Sequence, residues 1–373
     1  MIGPRHYCSL LGPIAAFIAW YLAAGKAPEL AAALSAGDGR GVPAAGTSRR
    51  DLLAGGCTAA AAAAAFPWAP SAAAAANGAA GDARPIAVLG ASGRTGALCV
   101  SACLAGGVPV RALTRSGEWR LPADGDAFGA AAGASGAAAH GGGMLSVGRC
   151  DVRDATSVAE AVAGCRAVVY AASASRGGGS AREIDNEAVV AAAGACIAAA
   201  VPRYVVISST ATTRPRSLGY IFTNVFSSGG IMDEKRRGEV GVQLAYAAAA
   251  SAAAAAAGSP VGSSYTIIRP GGLEEPKENR VLGPSALELS QGDALAGIVS
   301  RADLAATTVA AALSDAPGLR DASFEVYYTD SVQPCEGRFK ALVDSGKVAR
   351  IHGEGFDAMF RGLAPDGEYY VPE

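Results

Sequence analysis

A chain of 373 residues can hold one large α/β domain or two small ones, each with a sizeable core. Its formal net charge is -2, from 31 basic and 33 acidic residues, and no dense basic tract lies beyond the first fifth, which argues against nucleic acid as a partner. The hydrophobic share of 51% is inflated by alanine runs such as 59–65 and 252–257, so it does not indicate a membrane protein.

Few side chains have the spacing of a metal site. The three histidines, His6, His140 and His352, have no other candidate ligand near them, and the eight cysteines include no C-x-x-C pair. Most cysteines stand in apolar strand or helix contexts, which favours buried free thiols over a disulfide set or a metal site. We therefore predict no metal.

The first 83 residues have the pattern of a targeting leader. Arg5 and His6 precede an apolar stretch at 9–24, which is too short to span a bilayer but suits a signal peptide. A second signal follows, in which residues 48–53 (SRRDLL) open another mild apolar run and 69–72 supply small residues for processing. The alternative interpretation is an alanine-rich disordered tail.

The order of these two signals resembles a known route. Residues 48–53 resemble a twin-arginine export signal, and stacked signals resemble the compound leaders of plastid proteins routed to thylakoids. The resemblance implies a chloroplast protein, with the thylakoid lumen as one destination and no transmembrane span in the mature domain.

A glycine-rich turn opens the regular part of the chain. The apolar run 86–89 has the length of a buried parallel strand, and the residues after Gly96 predict a helix. Glycine at such a turn lets backbone N–H groups approach a pyrophosphate, and a helix N-terminus favours the anion. The spacing is G-x-x-G-x-x-G rather than the familiar G-x-G-x-x-G. The candidate cofactor-binding residues here are Gly90, Ser92, Gly93, Arg94, Thr95 and Gly96.

The next predicted strand, 108–113, ends at Thr114 and Arg115. An NAD-selective site usually has Asp or Glu at this point for the ribose 2′-hydroxyl, whereas a basic residue accommodates the additional phosphate of NADP. Arg115 therefore favours NADP over NAD, and Arg94 can add a positive charge near that phosphate or the pyrophosphate. Either arginine could instead be a solvated surface residue.

Further strand ends supply further cofactor contacts. Residues 117–143 break the pattern and predict an exposed, mobile insertion. Strands are predicted at about 145–150, 167–173, 204–207 and 265–268, with helices between them. In such folds, residues after the third strand often contact the adenine. Small residues after the fourth strand leave room for a ribose. The backbone after the sixth strand is expected to face the nicotinamide. The residues concerned are Asp151, Val152, Ala171, Ala172, Ser173, Pro270, Gly271 and Gly272.

The sequence of the last third of the chain predicts a lid and a C-terminal extension. Residues 279–298 are expected to form a lid over the substrate. The extension 331–373 contains Phe339, Phe356, Met359 and Phe360, which predict an amphipathic helix packed on the domain, with partner binding as the alternative.

Three segments together are similar to the atypical short-chain dehydrogenase/reductases, and within them to the NmrA-like, NAD(P)-binding proteins common in plastids. They are 90–96 (GASGRTG), 201–209 (VPRYVVISS) and 265–273 (YTIIRPGGL). Residues 301–305 (RADLA) and 323–326 (SFEV) match the family's late helix start and final strand. The resemblance spans about 84–330 and implies a single-domain α/β Rossmann fold, a doubly wound sheet of seven parallel strands with the substrate cleft at their C-terminal ends.

The catalytic pattern of the wider superfamily is incomplete in this chain. Typical members have a serine after the fifth strand, which holds the carbonyl, and a Tyr-x-x-x-Lys on the next helix. Ser208 and Ser209 match the serine, and Lys235 matches the lysine, although it could also bind ribose or phosphate. Ile231 stands where the tyrosine is expected. Tyr220 has a compatible spacing from Ser208 and is a catalytic candidate, with a packing role as the alternative.

Two functions remain open from the sequence. One is an NADPH-dependent oxidoreductase of a small carbonyl, quinone or enone, in which water or a loop side chain supplies the proton. The other is a non-catalytic NADP-binding scaffold or redox sensor for a plastid membrane or assembly partner. The missing tyrosine favours the second function, while the intact glycine turn favours cofactor binding in both.

Overall fold

The computed structural model of the chain describes residues 82–120, 128, 143–174, 179–226, 230–255, 262–274, 281–369 and 371. The predicted leader up to residue 81 and most of the predicted insertion lie outside the described residues. Along the described part, no helix combines the length and the apolar character that a membrane span needs.

Within the described residues, the fold is built on a nine-stranded sheet in the order β13-β8-β11-β6-β5-β4-β1-β2-β3, with β7 paired to β10 and β9 to β12 beside it. The strands are β1 (Ile86–Leu89), β2 (Val110–Thr114), β3 (Leu145–Arg149), β4 (Ala167–Tyr170), β5 (Arg203–Ile207), β6 (Ser264–Pro270), β7 (Gly272–Glu274), β8 (Leu287–Ser290), β9 (Leu295–Ala296), β10 (Ile298–Ser300), β11 (Ala322–Tyr328), β12 (Gln333–Pro334) and β13 (Arg350–Ile351). The strands from β11 to β3 in this order are all parallel. The strand order reverses between β1 and β4, where doubly wound folds bind their ligands.

Helices connect these strands and cover both faces of the sheet. They are α1 (Arg94–Ala105), α2 (Ala155–Val162), α3 (Ala188–Ala198), α4 (Leu218–Phe226), α5 (Ile231–Ala255), α6 (Arg301–Leu313), α7 (Lys340–Asp344) and α8 (Phe356–Arg361). A π-helical stretch, Arg182–Glu187, leads into α3, and 3-10 turns lie at Pro284–Ala286, Pro317–Leu319, Thr329–Ser331 and Gly337–Phe339.

Alternate residues of the parallel strands belong to two separate hydrophobic layers. In β1, Ile86 and Val88 pack in a cluster with residues of α1 and α6, while Ala87 and Leu89 pack with residues of α2, α3 and α5. Because both faces are covered, the strand is apolar at every position. The predicted doubly wound α/β fold is therefore confirmed.

The prediction of a lid at 279–298 is wrong for its described residues. Leu287–Ser290 forms β8, which runs antiparallel to β11 and extends the sheet. Leu287 and Leu289 are buried in the core and do not line the cleft at the C-terminal ends of the parallel strands. The physical reason is that β11 would otherwise expose an unpaired strand edge, and the alternating Leu-Glu-Leu-Ser pattern suits a strand that covers it.

The C-terminal tail joins the same sheet and core. β13 pairs antiparallel with β8, and Arg350 of β13 forms an ion pair with the buried Glu288. α8 places Phe356, Met359 and Phe360 in the core beside α6, as its apolar spacing predicts.

The seven parallel strands implied by the resemblance are present in the sheet, and β8 and β13 add two antiparallel strands at one edge.

Candidate functional site

A cleft of about 630 Å³ lies at the C-terminal ends of the parallel strands. Residues after β1 and β4 both line it, so it is located where the strand order reverses. Clefts of this volume at this position are typical of cofactor sites in doubly wound folds.

The glycine turn forms one wall of the cleft. Gly90 has a φ of 83°, and a Cβ placed there would lie 2.7 Å from the backbone nitrogen of Ala172 at the end of β4. The Gly93 N–H donates to the Gly90 carbonyl at 2.9 Å, and Gly93 is also the N-cap of α1, where no side chain caps the helix. A tight turn with glycine at both ends, followed by a helix N-terminus that no side chain caps, fits a pyrophosphate group.

The cleft brings together nearly all residues predicted for the site. Those on its walls are Gly90, Ser92, Gly93, Arg94, Thr95, Arg115, Asp151, Val152, Ala171, Ala172, Ser173, Ser208, Ser209, Lys235, Pro270, Gly271 and Gly272. The two that do not line it are Gly96 and Tyr220. Their placement changes the role that the sequence had suggested for each.

Gly96 supports the turn from behind. It is buried in α1, and a Cβ there would lie 2.3 Å from the Gly90 carbonyl oxygen. The third glycine therefore allows α1 to pack closely against the turn, and the prediction of a direct cofactor contact is corrected to this packing role.

Tyr220 is held away from the cleft by an acidic partner. Its side chain is buried, and its hydroxyl donates a hydrogen bond to the carboxylate of Asp233 on α5. Burial, and then the bond to Asp233, raise the pKa of Tyr220 to about 12. A catalytic tyrosinate needs a lowered pKa and a place on the cleft wall. Tyr220 has neither, so its catalytic candidacy is corrected to a packing role.

Two arginines line the cleft near the ends of β2 and β3. Arg115 follows β2, and Arg153, which the sequence reasoning missed, lies just beyond β3. Arg153 forms a bidentate pair with Asp151, with nitrogen–oxygen distances of 2.9 and 2.6 Å. This bond lowers the pKa of Asp151 to about 2, so the carboxylate is ionised at neutral pH.

Lys235 lies on the cleft wall with its ammonium group fixed by a buried carboxylate. Its Nζ is 2.8 Å from Oδ1 of Asp185, whose Oδ2 accepts the Ala174 N–H at 2.9 Å. Ile231, one helical turn before Lys235, also lines the cleft. The position of the standard catalytic tyrosine is therefore an apolar surface in this cleft.

Ser208 is engaged with a buried charge network. Its hydroxyl donates to Oε1 of Glu239 at 2.5 Å, and Glu239 is paired with Arg269, which also pairs with Glu325. Burial opposes the ionisation of Glu239, but Arg269 outweighs it and the pKa of Glu239 is lowered. Since Glu239 stays a carboxylate, the Ser208 proton points away from the cleft. The predicted donor role of Ser208 toward a substrate carbonyl is therefore corrected to an acceptor role.

The buried partners Asp185 and Glu239 were not among the predicted site residues. Glu239 stands four residues after Lys235 on α5, so its i, i+4 spacing places it near the same face and could have identified it. Asp185 lies in the π-helical stretch, and no periodic pattern in the sequence predicts that stretch. Within the described ranges, no three His, Cys, Asp or Glu side chains converge as metal ligands.

A family model described as NAD(P)H-binding matches residues 90–315. This match covers more than half of the chain and contains the glycine turn, Arg115, Ser208 and Lys235. The chain belongs to this NAD(P)H-binding family, which agrees with the predicted resemblance to the atypical, NmrA-like short-chain dehydrogenase/reductases. No curated protein matches the chain.

Several solved structures are similar to the chain at low identity. The oxidoreductase ylbE from Lactococcus lactis is 14% identical, with a TM-score of 0.48 and coverage of 70% of this chain and 97% of that one. ChuY, an anaerobillin reductase from Escherichia coli O157:H7, is 22% identical, with a TM-score of 0.44 and coverage of 66% and 98%. A short-chain dehydrogenase/reductase from Veillonella parvula in complex with NADP is 15% identical, with a TM-score of 0.46 and coverage of 66% and 96%.

Proposed function

We propose that the chain binds NADP(H) in the cleft and reduces a small carbonyl, quinone or enone. The observation that carries this proposal is a glycine turn and an arginine, Arg115, on the walls of one cleft. The turn offers backbone N–H groups for the pyrophosphate. Arg115 offers a positive charge after the strand whose end usually binds the 2′-phosphate of NADP. Arg153 adds a second guanidinium to that wall, although Asp151 offsets its charge.

The chain's own residues would orient the rest of the cofactor. When bound, the dihydronicotinamide supplies a hydride to the substrate. Lys235, fixed by Asp185, can donate to ribose hydroxyls, and the backbone of Pro270 to Gly272 lines the cleft beside Ser208 and Ser209. Ser208 can accept a hydrogen bond from a hydroxyl or an amide, because its own proton goes to Glu239.

Two observations favour a second function, in which the chain binds NADP without turning it over. Ile231 lines the cleft where a catalytic tyrosine is expected, and Ser208 directs its proton away. A carbonyl reductase must deliver a proton as well as a hydride. On the wall, the Ser209 and Thr223 hydroxyls and the Lys235 ammonium could do so, as could water. A scaffold or redox sensor for a plastid partner needs no such donor.

The two functions separate in one experiment on the purified full chain. NADPH binding is measured by the change in its fluorescence, and NADPH oxidation is then followed with a panel of quinones, enones and aldehydes. Tight binding with accelerated oxidation by one substrate class supports the reductase. Tight binding with no acceleration supports the scaffold, and absence of NADPH binding refutes both.

A further proposal concerns location. We infer from residues 48–53 and the apolar stretch at 9–24 that the chain is delivered to the chloroplast, with the thylakoid lumen as its destination. Sequencing the N-terminus of the mature protein from its native source tests this. A mature chain that begins before Arg49 would count against lumenal export.

A further inference from the structure

A second cavity, of about 260 Å³, lies at the opposite end of the sheet from the cofactor cleft. We call it the arginine cavity, because Arg84, Arg166, Arg203 and Arg320 line it. Arg84 lies before β1 and Gly90 directly after it. Six residues of nearly extended chain span roughly 20 Å, so the two sites are well separated.

The four arginines come from separate parts of the chain. Arg84 and Arg166 precede β1 and β4, Arg203 begins β5, and Arg320 lies shortly before β11. Because parallel strands start at the same edge of a sheet, the fold gathers these four positive charges around one cavity. Like charges held together repel one another, which favours an anion between them.

Arg203 is the most deeply buried of the four, with 7% of its surface exposed. It donates to the Ser314 carbonyl at 3.1 Å and to the Thr266 hydroxyl at 3.4 Å, and among the described residues it forms no ion pair. Burial, and then the charge of Arg320, lower the pKa of Arg203 to about 10. The charges of Asp315 and Asp321 offset part of this effect, but both hydrogen-bond partners of the Arg203 guanidinium are neutral, so an anion bound to it would stabilise it.

The acidic side chains of the cavity offset only part of this charge. Asp82 and Asp315 line it, and Asp321 acts electrostatically on Arg203 and Arg320, so four arginines stand against three carboxylates and an excess of positive charge remains. Asp82 is already engaged in a bidentate pair with Arg84, at 2.9 and 2.8 Å. Arg166, like Arg203, forms no ion pair within the part of the chain that the structure describes. The excess charge is therefore carried mainly by side chains that face the cavity.

We propose that the arginine cavity binds a phosphate group, either free phosphate or that of a small phosphate ester. Planar guanidinium groups bind phosphate oxygens in pairs, and the excess of positive charge around the cavity favours an anion. The cavity volume leaves room for a few atoms beyond the phosphate itself. Neither NADP(H) binding nor catalysis at the other end of the sheet is required for this site.

Calorimetric titration of the full chain with inorganic phosphate tests the site, at constant ionic strength and with NADPH present at saturation to occupy the cofactor cleft. A parallel titration uses glycerol 3-phosphate as the ester. Two variants, Arg166→Gln and Arg320→Gln, each remove one cavity charge, and Arg361→Gln on α8 is the matched control because Arg361 is exposed and does not line the cavity.

The expected result is saturable phosphate binding that is equal in the wild type and Arg361→Gln. Each cavity variant should bind phosphate about tenfold more weakly, which corresponds to the loss of one charge-assisted hydrogen bond. Tighter binding of the ester than of phosphate identifies a phosphorylated metabolite as the ligand, and the reverse identifies free phosphate.

Three outcomes overturn the proposal. They are no saturable binding, equal affinity in the cavity variants and Arg361→Gln, and binding that appears only when NADPH is omitted. The last outcome would place phosphate in the cofactor cleft. Circular dichroism of Arg166→Gln and Arg320→Gln establishes that a weaker titration is not caused by unfolding.

Discussion

Replacing Gly90 by alanine should weaken cofactor binding through a local change in the cleft wall, in addition to lowering the stability of the fold. A residue with a side chain costs about 1–2 kcal/mol in the left-handed region, and the φ of Gly90 is 83°. The added Cβ would also lie 2.7 Å from the nitrogen and 2.8 Å from the Cα of Ala172. Both are backbone atoms, so the turn and the end of β4 must move apart, at a further cost of about 1–3 kcal/mol.

This movement acts on the wall of the cleft itself. Gly90 and Ala172 both line it, so a shift between them displaces the backbone N–H groups that would bind the pyrophosphate. Loss of one hydrogen bond to a charged group is worth about 1.5–3 kcal/mol, or roughly a 10- to 100-fold rise in the NADPH dissociation constant. The stability loss of about 2–5 kcal/mol compares with about 5–15 kcal/mol for an ordinary domain, so urea unfolding first establishes that the variant is folded.

Gly107→Ala is the matched control for Gly90→Ala. Gly107 has a φ of 66°, but no atom lies within 4 Å of its added Cβ, and it stands at the far end of α1 from the turn. It should lose about 1–2 kcal/mol of stability without any change in NADPH affinity. Urea unfolding gives the stabilities, and fluorescence titration gives the dissociation constants. If Gly90→Ala binds NADPH within twofold of Gly107→Ala, the turn is not the pyrophosphate site.

Three other variants test single side chains. Arg115→Ala should weaken NADPH binding about tenfold and leave NADH unchanged, because only NADPH carries the 2′-phosphate; equal losses for both in titrations would contradict this. Tyr220→Phe should lower the free energy of unfolding by about 1 kcal/mol, because the hydrogen bond to Asp233 is lost. Slower NADPH oxidation by this variant would contradict the packing role and support a catalytic role for Tyr220. Burial raises the pKa of Glu325 to about 7, although Arg269 opposes it, so the folded chain keeps a proton that the unfolded chain releases above about pH 4.5. Stability should therefore fall as pH rises from about 5 to 7, and urea midpoints of Glu325→Gln should lack this slope.

The sequence predicts the cofactor side of the cleft well, because its signals are local. The glycines of the turn and Arg115 each directly follow an apolar run, and the ends of parallel strands meet at one edge of a sheet. A residue that directly follows a predicted parallel strand can therefore be predicted to lie in the cleft. Arg153 was not predicted as a cleft residue, because it lies one residue beyond the predicted contacts and its sequence context is that of an ordinary surface arginine.

The remaining features depend on long-range contacts. β8 reads equally well as a loop with two leucines, and only the open edge of β11, more than thirty residues later, makes it a strand. Tyr220 has a suitable spacing from Ser208, but spacing does not determine the direction of a side chain between two helices. Its hydroxyl meets Asp233 instead of the cleft. Sequence patterns specify periodicity and do not specify which distant residues will pair.

The direction of one proton bears most strongly on whether the chain is an enzyme. Ser208 stands where the family's carbonyl-holding serine is expected, yet its hydroxyl donates to Glu239, and Arg269 keeps Glu239 ionised. A carboxylate accepts hydrogen bonds and donates none, so Ser208 offers only lone pairs to the cleft. With Ile231 in place of the tyrosine, Ser209 is the remaining match to the usual carbonyl donors. A ligand that presents a hydroxyl or an amide to Ser208 suits this arrangement better than a bare carbonyl oxygen does. If the chain reduces a substrate, the proton must therefore come from another donor in the cleft, such as Ser209, Thr223 or the Lys235 ammonium, or from water.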